Sequence, residues 1–385
     1  MYFRRLRTRF RNRLRLAPPA DTYVLWVALL LSAVGILAVY SAIAFLAETK
    51  ADGDTERFLL RHTTRLAFAL GALVLFSYLD YRKIARWARL LLMGSLILLV
   101  LVQIFGVTYG GATRAIHLGS LSIQPSDIAK VALILYIGVL LARKQGYIRS
   151  LGRTFIPLSL WIFVSLIMIG MEDLSTAAVL LVAVGMMCFV GRVRAVHLGS
   201  LAAACAVCAL LLLAISPNRA ARLEAFLGFG IFPHTDSGEV FSAQDEGYQA
   251  RQARIAFALG GITGQGPGKS LQRDFLPAPY NDFIFAIIAE EYGLLGAVAL
   301  LGLLSLLLLR GFLRIARDAA DPLGLFLAVG YTTTIVLYGF VHAAVASGLL
   351  PVTGLPLPLV SYGGTSMLAT GAMIGILLNI SRQIR

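Results

Sequence analysis

Ten separate apolar runs, most close to 20 residues long, dominate this chain and point to a bilayer as its solvent. Roughly 20 consecutive apolar residues span the hydrocarbon core as one helix. The runs lie near residues 23–46, 62–79, 88–107, 125–142, 155–170, 174–190, 198–215, 283–309, 323–347 and 362–380. Over 385 residues, 58% are hydrophobic and 14% are charged, where soluble proteins carry about 25% charge. That balance excludes disorder and argues against a soluble globular protein. The segment Met171-Glu-Asp-Leu-Ser175 divides the fifth run from the sixth. Two charges there are expensive in lipid, so the segment reads as a tight turn.

Charge gives the orientation. Lys and Arg concentrate in the cytoplasmic loops of membrane proteins. With the N terminus inside, 22 of the 34 basic residues fall on cytoplasmic segments, six on short outer segments and six in the long 216–281 connection. The expected fold is therefore an all-α polytopic membrane protein of ten transmembrane helices. Both termini are cytoplasmic, and a large extracytoplasmic loop, 216–281, joins helices 7 and 8. Residues 1–21 form a basic cytoplasmic segment before a single membrane domain, 22–385. The arginines at 4, 5, 7, 9, 11, 13 and 15 directly precede a span, which suits anionic membrane lipids rather than nucleic acid. The first run is too long for a cleavable signal peptide. Cys188, Cys205 and Cys208 fall inside predicted helices among apolar neighbours and read as packing residues. No Walker A or GxGxxG pattern and no pair of matching halves is visible, which argues against ATP coupling and weakens a transporter reading.

The polar chemistry collects at the outer ends of the predicted helices. The 66-residue connection 216–281 is far longer than the others, and long ordered loops are usually functional. Within it, residues 248–259 suit a short interfacial helix, and the glycines of 260–268 suit a tightly turned backbone. Asp282 stands where the loop enters helix 8. It fits either a helix-capping carboxylate or a general base whose pKa partial desolvation would raise. Glu290 and Glu291 follow inside the apolar run; at ~100° per residue Glu290 falls ~80° from Asp282 and Glu291 lies opposite it. Both are read as members of structural ion pairs. Asp127 and Lys130 are i,i+3 neighbours suited to a local pair. Residues 348–366 hold three prolines and four glycines and cannot be a regular helix. Such backbone at membrane depth must be buried or line a wet cavity, which the hydroxyls of Ser361, Tyr362, Thr365 and Ser366 would suit. The five histidines are scattered without metal-ligand spacing.

Several long motifs in order resemble the SEDS family of bacterial envelope proteins, FtsW and RodA, over nearly the whole chain. They are Gly111-Ala-Thr-Arg-Ala-Ile with Ile123-Gln-Pro-Ser-Asp-Ile-Ala-Lys130, Gly247-Tyr-Gln, the stretch from Gly266 to Gly293 that contains Asp282-Phe-Ile-Phe285, and Gly348 to Ser366. The resemblance implies a peptidoglycan glycosyltransferase that polymerises lipid II into β-1,4 glycan strands. Asp282 matches the family's loop aspartate and would be the general base, taking the proton of the acceptor's 4-hydroxyl as it attacks the donor's anomeric carbon. Undecaprenyl pyrophosphate leaves with inversion. Arg114 and Lys130 match basic cavity residues that would meet pyrophosphate charge or position Asp282. Asp173, Lys269, Gln272, Arg273, Ser361, Tyr362, Gly363, Gly364 and Thr365 are the other implied substrate contacts. A divalent cation, Mg or Mn, would be able to share the pyrophosphate, although no dedicated cage is visible. The implied partners are a class B penicillin-binding protein, the growing glycan strand and other proteins of the division or elongation machinery.

The chain also departs from the family pattern. Ala115 replaces a usual Trp, Met171-Glu-Asp stands for Glu-Pro-Asp, Asp127 stands for Glu, and Thr353 stands where many FtsW proteins have Lys. Ala142-Arg-Lys-Gln145 and Gly266 to Arg273 lean towards FtsW. A RodA-like elongation enzyme is the nearest alternative. A flippase would need polar residues along a through-path, and a pure scaffold would have no use for Asp282.

Overall fold

Proline and acidic caps begin several helices, as local chemistry requires. Pro125, Pro217 and Pro322 occupy first turns, where no partner for N–H is needed. Asp173 accepts from the Ser175 and Thr176 amides, and Asp321 from Gly324 at 2.7 Å. The computed structural model describes the backbone of residues 20–50, 55–109, 112–118, 121–229, 240–276 and 278–384. It describes their side chains except 44–50, 55, 107–122, 218 and 240–246. The basic segment before residue 20 lies outside the described residues.

In chain order the helices are α1 (Thr22–Lys50), α2 (Thr55–Tyr78), the short α3 (Tyr81–Ala85), α4 (Ala88–Phe105), α5 (Pro125–Arg143), α6 (Ile156–Glu172) and α7 (Leu174–Val190). There follow α8 (Ala195–Ile215), α9 (Pro217–Leu227), α10 (Val240–Gly260), α11 (Ile284–Arg310), α12 (Pro322–Ala346) and α13 (Thr365–Ser381). Each of the ten apolar runs lies on a helix. Among the described residues, eight helices are long and apolar enough to cross a membrane; α7 and α13, at 17 residues, are apolar but shorter. This is a multi-pass membrane protein built of helices. One addition to the all-helical expectation is a three-stranded antiparallel meander, β1 (Val107–Tyr109), β2 (Ala112–Leu118) and β3 (Leu121–Ile123), between α4 and α5.

α5 and α12 form the centre: 78% of each span is buried, against 6% of α8. α13 packs on α2 through glycines. A Cβ on Gly371 would lie 2.1 Å from the Ala69 carbonyl, and one on Gly375 2.5 Å from that of Leu73. The predicted interfacial helix is longer than expected, running from Val240 to Gly260.

α11 is interrupted at Gly293, whose φ of 66° breaks the helical hydrogen bonding. The loop after α10 fills the gap. The Gln265 and Gly266 amides donate to the Glu290 and Glu291 carbonyls at 2.9 and 3.0 Å. The Leu294 and Leu295 amides donate to the Gly261 and Ile262 carbonyls at 2.9 and 3.2 Å. Backbone groups at membrane depth must find internal partners, and here they find them in a loop from another part of the chain. A Cβ on Gly293 would come within 2.4 Å of Gly264 N and Ile262 O. Gly293→Ala therefore adds a clash to the roughly 1–3 kcal/mol of backbone strain. It is expected to lower the thermal unfolding midpoint and to expose the 261–272 segment to limited proteolysis.

Candidate active site

Asp282 does not stand on α11 but in the turn that precedes it. The Asn281 and Asp282 amides both donate to the Ala278 carbonyl, at 3.2 and 3.3 Å. Helical spacing therefore does not relate Asp282 to Glu290. Phe283 and Ile284 are buried and fasten the turn to the core, while Asp282 itself remains half-buried.

The segment between α12 and α13 grips this turn. Pro351, Pro356 and Pro358 deny it a helix, and Gly348 and Gly354 take positive φ of 78° and 71°. Leu359 does so as well, at 60°, an uncommon state for a side-chain-bearing residue. Ser361 Oγ accepts from the Leu357 amide and donates to the Asn281 carbonyl, both at 2.8 Å. The Tyr362 amide donates to the Tyr280 carbonyl at 3.0 Å. The two residues before Asp282 are thus held by two residues of the segment. The Tyr362 ring meets Tyr280 edge-on at 5.5 Å and stacks on His62 at 5.8 Å. The Arg65 guanidinium lies 4.6 Å from its centre. Gly363 and Gly364 lead into α13, with Gly364 at its N-cap.

A second polar group runs through the middle of the bundle. Lys130 is 1% exposed and donates to Asp127 at 2.7 Å. The other Asp127 oxygen accepts from Thr365 at 2.7 Å, and Thr365 accepts from the Gln124 amide at 3.2 Å. The Lys130 ammonium sits 4.5 Å from the Tyr338 ring centre. The Tyr338 hydroxyl pairs with Thr176 at 2.9 Å, and Thr176 donates to Asp173 at 2.9 Å. One chain of polar contacts thus joins α13, α5, α12, α7 and the turn between α6 and α7. It brings together Thr365, Asp127, Lys130 and Asp173, which are far apart in sequence. Tyr338 and Thr176, the links between them, escape sequence reasoning; the only hint is that Thr176 lies three residues after a capping aspartate. His62 and Arg65 give no sequence signal, while Tyr280 lies inside the Gly266 to Gly293 stretch that carries the resemblance.

Glu290 corrects an expectation. Its carboxylate is fully buried and accepts from the Ser270 hydroxyl, the Leu271 amide at 2.9 Å and the Gln272 amide at 3.2 Å. It is a loop anchor, and its partners are amides and a hydroxyl where an ion pair was expected. An acceptor that collects several donors needs no cation beside it. Glu291 accepts from the Ser41 hydroxyl of α1. Of the implied substrate contacts in this loop, Gln272 is buried, and Arg273 donates to the Ser41 and Gly268 carbonyls at 3.2 and 3.0 Å. Both close the loop onto the bundle, while Lys269 is exposed. Arg114 stands on β2, and its side chain lies outside the described residues. Among the described residues no three His, Cys, Asp or Glu side chains gather as a metal cage.

Residues 21–385 match the FTSW_RODA_SPOVE family model, described as cell cycle protein. A probable peptidoglycan glycosyltransferase FtsW of Geobacter sulfurreducens is 35% identical over 369 residues, covering 95% of this chain and 96% of the relative. Stage V sporulation protein E of Bacillus subtilis is 36% identical over 369 residues, covering 95% and 98%. A chain from a study of structural coordination of polymerization and crosslinking by a peptidoglycan synthase complex superposes with a TM-score of 0.72 at 27% identity, covering 94% of this chain and 98% of that one. The rod shape determining protein RodA of Thermus thermophilus gives 0.68 at 26% identity, covering 95% and 97%. The chain belongs to the FtsW, RodA and SpoVE family over nearly its whole length.

Proposed function

We propose that this protein is a peptidoglycan glycosyltransferase that polymerises lipid II on the outer face of the bacterial cytoplasmic membrane, in the FtsW-like role of septal wall synthesis. In this reading residues 22–385 form one ten-helix domain with both termini cytoplasmic. Asp282, the first turns of α5 with the Asp127–Lys130 pair, Asp173 and residues 348–364 then all lie on the outer side. The observation that carries the reading is the clamped turn: the backbone of Asn281 and Tyr280 is held by Ser361 and Tyr362, next to Asp282.

A carboxylate on a held backbone suits one proton transfer. The acceptor's 4-hydroxyl oxygen attacks the donor's anomeric carbon, its proton passes to an Asp282 oxygen, and the bond to undecaprenyl pyrophosphate breaks with inversion. One base suffices because pyrophosphate leaves without protonation. Lys130, held by Asp127 and Tyr338, offers positive charge within the bundle, where low dielectric strengthens its pull on an anion. The implied partner is a crosslinking transpeptidase, a class B penicillin-binding protein.

The test supplies the purified chain and that partner with lipid II. Glycan strands are the expected product. Transfer of intact lipid II between leaflets without any polymer would replace this reading with a flippase.

A further inference from the structure

A cavity of about 350 Å³ opens between α9, α10 and the 348–352 segment. It takes no part in the proton transfer assigned to Asp282. Its α10 wall presents Gly247, Arg251 and Arg254, spaced i, i+4 and i+7 and therefore on one helix face. The α9 wall presents Arg222 and Phe226 by the same spacing. Among the described residues the charged side chains of the lining are Arg251 and Arg254 on α10 and Arg222 on α9, the last with a partner of its own. The Arg254 guanidinium lies against bare backbone: a Cβ on Gly348 would stand 2.3 Å from its Nε. The rest of the lining is largely apolar, with Leu350, Pro351 and Val352 on the third wall. Phe226 on the lining, and Leu227 and Phe229 after it at the end of α9, are 40%, 38% and 61% exposed, as on a segment resting in a membrane interface.

We propose that this cavity binds the phosphate head of a lipid, with the arginines on the phosphate oxygens and the apolar wall on the first carbons of the chain. Arginine matches phosphate through paired N–H donors. An apolar wall next to Arg251 and Arg254 selects an amphiphile over a free anion. The lipid is either the polyprenyl carrier of the glycosyl donor or an anionic phospholipid of the same leaflet. Assigning that leaflet to the outer side rests on the proposed orientation; the binding itself does not. The 348–352 wall leads along the chain to Ser361 and Tyr362, which hold Asn281 and Tyr280.

The test is native mass spectrometry of the full chain titrated with undecaprenyl pyrophosphate, with phosphatidylglycerol and with phosphatidylcholine. The wild type is expected to retain one copy of an anionic lipid in preference to phosphatidylcholine. R251Q/R254Q is expected to need roughly 10- to 100-fold more of that lipid for equal retention, as the loss of charge-assisted hydrogen bonds entails. R251K/R254K keeps the charge and retains most of the binding. Preference for undecaprenyl pyrophosphate identifies the polyprenyl carrier as the source, and preference for phosphatidylglycerol the bilayer. Equal retention by wild type and R251Q/R254Q, with unchanged unfolding temperatures, overturns the site. Retention is read without turnover, so a lipid-binding but inactive protein counts against the glycosyltransferase reading alone.

Discussion

Asp282→Asn is expected to slow glycan polymerisation by at least about 10²-fold, within the 10²–10⁴ that a positioned general base contributes. The amide has nearly the shape of the carboxylate and leaves the Asn281 and Asp282 backbone contacts to Ala278 in place. What it lacks is an oxygen able to take the acceptor's proton. The loss should therefore fall on kcat, with KM for lipid II changed far less. Polymer length and rate on gels, beside the unfolding temperature and co-purification of the transpeptidase, separate chemistry from folding. Full activity of the Asn variant would remove the base role from Asp282.

The second large effect concerns the buried pair. Lys130→Met should cost about 3–5 kcal/mol of stability, because it leaves the Asp127 charge buried with Thr365 as its one remaining partner among the described residues. It also removes the cation from the Tyr338 ring. The double variant Lys130→Met/Asp127→Leu removes both charges and should recover much of that stability. Polymerisation should stay low in both. Recovery of activity together with stability in the double variant would reduce the pair to a packing element. Thermal unfolding in detergent and strand synthesis from lipid II measure the two properties on the same preparations.

The helices were readable because membrane spans are written in local composition. Each predicted run lies on a helix, and several ends, such as Pro125, Leu174 and Val190, match to within a residue. The turn at Glu172 and Asp173 was visible for the same reason, since charge interrupts apolar sequence. Contacts between distant segments were not visible. Nothing near Glu290 announces that its donors come from residues 270–272, and nothing near Tyr338 announces that it joins Lys130 to Thr176. The meander at 107–123 was missed because its strands are three to seven residues long. The break at Gly293 was hidden in an apolar run where glycine is otherwise ordinary. The residues of the candidate site were largely named by motif; their mutual geometry came from packing.

The gap in α11 has a practical consequence for protein engineering. Residues 261–266 satisfy four backbone groups of that helix and serve as part of its interior. Excising them, or grafting the equivalent stretch from a relative without its own matched helix, would strand those groups in hydrocarbon. Chimeras should accordingly exchange 260–295 as one cassette.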